Sequence, residues 1–264
     1  MYARIGRVLA VSFAFGPTMS IADDHDSVDA AIVLAVDVSG SMDGEELAVQ
    51  RAGYLDAIRH PDLFRIVAAG QHGKIALSHF EWAGNVREGS TVNWRVIDSA
   101  AALELFASEV EALPLRTSFG TSISMAIDYG VAMIESAQFA AESWVIDVSG
   151  DGPNNMGPPV AASRDRALAR GITINGLPIV LRPSRGAPDL EAYYEQCVIG
   201  GPGSFVLAAR TTEELAPAIR RKLFRELYGD AGGQGPERVY RAQGADPVDC
   251  MVGERLRRER SGQF

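Results

Sequence analysis

Asp37-Val38-Ser39-Gly40-Ser41 places one carboxylate and two hydroxyls within five positions. Alternation along a strand and the turn after it can aim these groups at one point, and Gly40 is expected to let the backbone bend sharply there. The donors are hard oxygens with no thiolate or imidazole nearby, which suits Mg²⁺, Ca²⁺ or Mn²⁺ and suits Zn²⁺ or Cu²⁺ poorly. Taken alone, the same residues also fit a strand end followed by a helix cap, since Ser and Asp readily accept from free amides. Asp43, Glu45 and Glu46 read as acids favoured in the first turn of a helix. Other chemistry is thinly represented. The chain lacks the G-x-S-x-G elbow, the H-E-x-x-H helix and the G-x-x-x-x-G-K-[ST] loop. His25, His60, His72 and His79 are scattered, with no Ser or Cys nucleophile paired to any of them. Gly200-Gly201-Pro202-Gly203 precedes a strand, whereas a phosphate site needs a helix amino terminus.

Open α/β sheets bind ligands beyond the carboxyl ends of their strands, and the elements around Asp37 have that character. Residues 30–38 (AAIVLAVDV) form a nearly continuous apolar run, the pattern of a parallel strand buried on both faces. A helix follows over 45–58, with Pro61 breaking it before a shorter helix to Ala69. Residues 74–82 and 90–96 read as a hairpin, 99–113 and 122–136 as helices, and 144–149 as a strand. A turn-rich loop over 150–159 leads to a helix at 160–170 and a strand at 172–179. A helix at 190–197, a strand at 204–208 and a closing helix at 212–228 complete the alternation. The spacing predicts an α/β fold: a doubly wound, mostly parallel sheet flanked by helices, with one antiparallel edge strand.

The D-x-S-x-S run at Asp37, Ser39 and Ser41 resembles the opening of the metal-ion-dependent adhesion site (MIDAS) of von Willebrand factor A domains. In that family a threonine from a second loop and an aspartate from a third complete the site. Gly120-Thr121 before a helix matches the former, and Asp151-Gly152 after the strand at 144–149 matches the latter. The third motif departs from the usual threonine-aspartate-glycine. Ser149-Gly150-Asp151-Gly152 inserts a glycine before the acid, and Asp147 on the preceding strand is a rival ligand. Asp151 is preferred because its neighbours place it on an exposed loop. The segments VIDVSGDGPNN, VIGGPGSF and AIRRKL make the chain similar to the DUF1194 group of exported bacterial proteins. The resemblance implies Mg²⁺, with Mn²⁺ or Ca²⁺ as alternatives, held by Asp37, Ser39, Ser41, Thr121 and Asp151. It also implies an open position that a protein partner's Glu or Asp carboxylate fills, with binding coupled to movement of the 212–228 helix. The expected function is metal-dependent protein binding in adhesion or assembly, without catalysis. A metal-assisted hydrolase on the same oxygens and a metal-free structural domain are the alternatives.

With 264 residues, 47% of them hydrophobic, the chain can bury a sizeable core, and a formal charge of −9 argues against a nucleic-acid partner. Arg4 and Arg7 before the apolar run 8–15, with Ser20-Ile21-Ala22 following, read as a signal peptide over residues 1–22. Cleavage would remove two arginines and no acids, taking the charge to −11. The run is too short to span a bilayer, and no later segment looks transmembrane. The expected organisation is a von Willebrand A-like domain over 28–229 and a mobile tail over 230–264, in a periplasmic or secreted protein. Cys197 and Cys250 form either a disulfide to the tail or two separate thiols.

Overall fold

The computed structural model describes residues 27–87, 89–181, 189–228 and 247–262. The signal peptide expected over 1–22, and much of the tail expected over 230–264, lie outside the described residues. In chain order the elements are β1 (Ser27–Val28), β2 (Ala31–Asp37), α1 (Gly44–Arg59), α2 (Pro61–Ala68), β3 (Ile75–Trp82), β4 (Val92–Ile97), α3 (Ala100–Glu111) and α4 (Ile123–Glu135). They continue as β5 (Ala140–Ala141), β6 (Trp144–Gly150), α5 (Val160–Leu168), β7 (Thr173–Pro178), α6 (Leu190–Tyr193), α7 (Thr212–Tyr228) and α8 (Val252–Ser261).

Five strands make the main sheet in the order β4-β3-β2-β6-β7, parallel throughout except for β4, which runs antiparallel to β3. The central strand β2 is buried along its whole length. Ile32, Leu34 and Val36 face one apolar layer with Tyr54, Phe106 and Leu223, from α1, α3 and α7. Val33 and Ala35 face the other with Ile127 and Val160, from α4 and α5. Period-two side chains between two helical layers are why the strand reads as an unbroken apolar run. Among the described residues, no helix is long and apolar enough to cross a membrane.

Local chemistry sets the helix ends. The Asp43 side chain accepts from the Glu45 and Glu46 amides while Glu46 accepts from the Asp43 amide, a reciprocal cap at the start of α1. Pro61 opens α2, with the His60 ring nitrogen accepting from the Asp62 amide. Two expectations change beyond β7. The segment expected as a strand at 204–208 meets β7 through isolated parallel bridges at Gly176–Val206 and Ile179–Ala209 and through the Phe205 amide, which donates to Asn175 Oδ1 at 3.1 Å. Pro178 has no N–H to donate, so it interrupts the ladder between them. The helix expected at 190–197 is split into α6 and a π-helical turn, Tyr194–Val198, which buries Tyr194 and Cys197.

The segment expected as a tail returns to the domain where it is described. Cys250 forms a disulfide with Cys197. The Val248 amide donates to Gln196 Oε1 at 3.0 Å, and α8 lies across the ends of the loops that follow β2 and β6.

Candidate metal centre

β2 delivers Asp37 into the interior at the carboxyl edge of the sheet, where it is fully buried. Its Oδ1 accepts from the Ser39 amide at 2.7 Å and its Oδ2 from the Asp151 amide at 3.4 Å, so one carboxylate braces two loops. Above it, the Ser39 and Ser41 hydroxyls lie 3.0 Å apart, and both reach Asp151 Oδ1, at 3.3 and 2.7 Å. The loop before α4 joins them through backbone bonds: the Gly40 amide donates to Ser118 O at 2.8 Å and the Ser118 amide to Val38 O at 2.9 Å. Thr121 lines the same cavity and is held to the third loop. Its amide donates to Asn155 Oδ1 at 3.0 Å, and its carbonyl accepts from the Asn155 amide at 2.8 Å.

The role expected of Gly40 needs correction. Its φ lies outside the positive region, and a Cβ there would meet only Ser118 O at 3.5 Å. The bend is a turn over residues 39–42 closed by the Met42 amide, which donates to Ser39 O at 3.2 Å, beside the parallel bridge between Ser39 and Ser118. Gly150 is the constrained glycine. A Cβ there would sit 2.7 Å from Tyr194 Oη and 3.0 Å from Asp37 Oδ2, which accounts for the glycine that precedes Asp151. Asp147 is placed elsewhere: it is buried within β6 and pairs with Lys222 of α7 at 2.5 Å.

Burial, and next the facing Asp151 carboxylate, push the Asp37 carboxyl well above its ordinary range. Burial likewise raises Asp151, against the stabilising hydrogen bonds from Ser41 and Ser39. Neither acid has a Lys or Arg partner among the described residues. The Tyr194 phenol beneath them is raised by burial and then by both carboxylates, and its oxygen has no hydrogen-bond partner among the described residues. No group of three or more His, Cys, Asp or Glu that could hold a metal occurs among the described residues. The donors gathered here are two carboxylates with hydroxyls, a hard-oxygen set.

The family model described as "Protein of unknown function (DUF1194)" matches residues 27–231. The chain belongs to the DUF1194 family. Among curated proteins, none matches this DUF1194 chain. Solved structures share its fold. The pilus adhesin SpaC from Lactobacillus rhamnosus GG aligns at 13% identity and a TM-score of 0.55, over 76% of this chain and 31% of its own. Proximal thread matrix protein 1 from the mussel byssus aligns at 13% and 0.55, over 75% and 47%. The von Willebrand factor domain of the type V pili tip protein Mfa5 from Porphyromonas gingivalis aligns at 12% and 0.52, over 74% and 94%. The DUF1194 chain thus spans less than half the length of the first two, and likeness at these identities establishes a von Willebrand A fold.

Several residues that shape the site in this DUF1194 chain were not legible as functional. Asn154 holds the third loop: its Oδ1 accepts from the Ser124 amide, and its Nδ2 donates to Met156 O, Pro158 O and Glu254 Oε1. Glu254 belongs to α8, which forms one wall of a cavity of about 600 Å³ over the candidate residues. The Asn154-Asn155 pair was visible only as part of a turn, because the partners that tie it to other elements, Ser124, Thr121 and Glu254, lie 30 to 100 residues away.

Proposed function

We propose that the chain is an exported module that binds a protein partner through a divalent ion, with Mg²⁺ favoured. Asp37, Ser39, Ser41, Thr121 and Asp151 would hold the ion, directly or through water, and a Glu or Asp of the partner would complete its shell. The observation that carries this reading is the fully buried Asp37 facing the half-buried Asp151 carboxylate, with converging hydroxyls and no cationic partner among the described residues. Such a pair is costly unless a cation joins it. When bound, the ion would supply a positive centre that attracts a carboxylate. The protein residues supply rigidity, with Asp37 locking the Ser39 and Asp151 amides.

Two further facts support the reading. The Cys197–Cys250 disulfide fits an oxidising compartment, and therefore export to the periplasm or beyond. Among the neighbours, the pilus adhesin is named for adhesion, and the mussel thread matrix protein is also known with a zinc-occupied MIDAS motif, at 14% identity and a TM-score of 0.50. The reading is one of binding rather than turnover.

The test is calorimetric titration of Mg²⁺, Mn²⁺ and Zn²⁺ into metal-stripped protein and its Asp37→Ala variant. Saturable uptake by the native protein, lost in the variant, is expected. Uptake that survives Asp37→Ala, or none by the native protein, would overturn the reading.

A further inference from the structure

The wall that α8 adds to the cavity has a chemistry of its own. Gly253, Leu256, Arg257 and Arg260 recur at helical spacing, and all of them line the cavity. Opposite stand Ser41 and Asp151, and Phe119, 77% exposed, flanks them. The Arg257 guanidinium lies over the Phe119 ring, 5.3 Å from its centroid. Its Nη1 is buried and has no hydrogen-bond partner among the described residues. A buried guanidinium N–H without an acceptor is costly, so this geometry is one that a bound anion would stabilise. Of the other charges of α8, Glu254 accepts from Asn154 through Oε1 while its Oε2 has no hydrogen-bond partner among the described residues, and Arg255 pairs with Asp249 and Glu259.

The helix is also seated firmly enough to act as a wall. A Cβ on Gly253 would stand 2.0 Å from Asn154 O, so α8 meets the third loop backbone to backbone. The disulfide and the Tyr193 hydroxyl, which donates to Cys250 O at 3.4 Å, hold the segment leading into it.

We propose that Arg257, supported by Arg260, forms a second anion subsite, so that the cavity accepts an acidic peptide segment with one carboxylate on the ion and another on α8. This rests on the metal-dependent binding proposed above and specifies its ligand class. Charge complementarity selects that occupant. An ion held by two carboxylates is close to neutral, and the facing arginines make the cleft attractive to acidic chains. Arginine recognises carboxylates through paired N–H donors, and the exposed Phe119 ring offers apolar contact to the peptide between its acids.

The experiment measures fluorescence anisotropy of two labelled peptides, Gly-Gly-Glu-Gly-Glu-Gly-Gly and Gly-Gly-Glu-Gly-Gln-Gly-Gly, with the oxidised full chain in Mg²⁺ and in EDTA. Both should bind only with Mg²⁺, the two-acid peptide about tenfold more tightly, as one charge-assisted hydrogen bond implies. Arg257→Gln should bring the ratio of the two affinities close to one. Arg255→Gln, on the same helix, should preserve it. Mg²⁺-dependent binding with a ratio near one, or a ratio unchanged in Arg257→Gln, would overturn the subsite and leave the metal reading standing. Tighter binding of both peptides to Arg257→Gln would show α8 to be a shield and also overturn it. Binding equal in Mg²⁺ and EDTA would overturn the metal reading and this inference together.

Discussion

Asp37 is ordered by two backbone amides yet faces another acid, so the metal-free protein holds it at a cost. Its raised pKa means that the folded chain retains a proton that the unfolded chain has released. Stability contributed by that proton is complete below the ordinary carboxylate range and is lost as pH rises towards the folded pKa. Asp37→Asn keeps an acceptor for the Ser39 amide at 2.7 Å, gives up the longer bond from the Asp151 amide at 3.4 Å, and removes the carboxyl that must hold a proton or bury a charge. In metal-free protein at pH 7.5 it should raise stability by about 1 kcal/mol, roughly 2–4 °C in Tm for a domain of this size. It should also abolish any rise in Tm on adding Mg²⁺. Scanning calorimetry with and without the ion checks both, and a metal-free variant less stable than the native protein would contradict the account. At this scale Asp37, Ser39 and Ser41 were legible because they are adjacent in sequence. Thr121 and Asp151 became candidates only by resemblance, and the need for glycine at 150 was hidden because the atom it avoids belongs to Tyr194.

Among the elements, α7 is fastened to the sheet by charge as well as by apolar packing. Lys222, fully buried, contacts Asp147 on β6 at 2.5 Å and Glu226 one turn further along α7 at 2.8 Å, and Asn175 on β7 donates to Glu226. One lysine cannot neutralise two carboxylates. Burial, and next the Asp147 charge, push Glu226 up to about 7, with Lys222 pulling the other way. Between its ordinary range and 7 the folded state binds a proton that the unfolded state lacks, so stability should fall as pH rises through this window. Glu226→Gln should flatten the dependence between pH 5 and 8, which urea titrations at several pH values would measure; an unchanged slope would remove Glu226 from the account. Periodicity showed the helix and strand that carry these residues, but not that Asp147 and Lys222 meet 75 positions apart. The segment at 204–208 was misread for a related reason: its apolar residues suit a strand, while the gap in its ladder belongs to Pro178 on the partner. For α8 the periodic signal was faint, because a helix rich in Arg and Glu is seated by one glycine, one disulfide and few apolar contacts.

Across the whole molecule, the disulfide joins residues 53 positions apart and closes the route from the domain to α8. A loop of that length stabilises by up to about 4 kcal/mol through the unfolded chain. The paired substitution Cys197→Ser with Cys250→Ser should therefore lower global stability. In hydrogen exchange it should release amides at 248–261 while β2 and β6 keep their protection relative to the new global stability. Equal relative loss in all three would show that α8 unfolds only with the core. Doubly wound architecture, the order of elements and the place of the loops were legible from apolar patterning, since buried parallel strands and amphipathic helices leave strong periodic marks. The return of the chain over its own cavity was not, because it depends on contacts between segments far apart in sequence. At the other end of the sheet, β1 pairs in parallel with β5 and packs against Trp94, Phe139 and Trp144. From there β2 runs the full depth of the domain, seven residues or roughly 23 Å, to Asp37. Residue 27 and the cavity consequently occupy opposite poles, while residue 262 lies beside the cavity. A bead, sensor chip or fluorescent fusion attached upstream of residue 27 leaves the cleft facing solution, whereas the same attachment beyond residue 262 crowds its mouth.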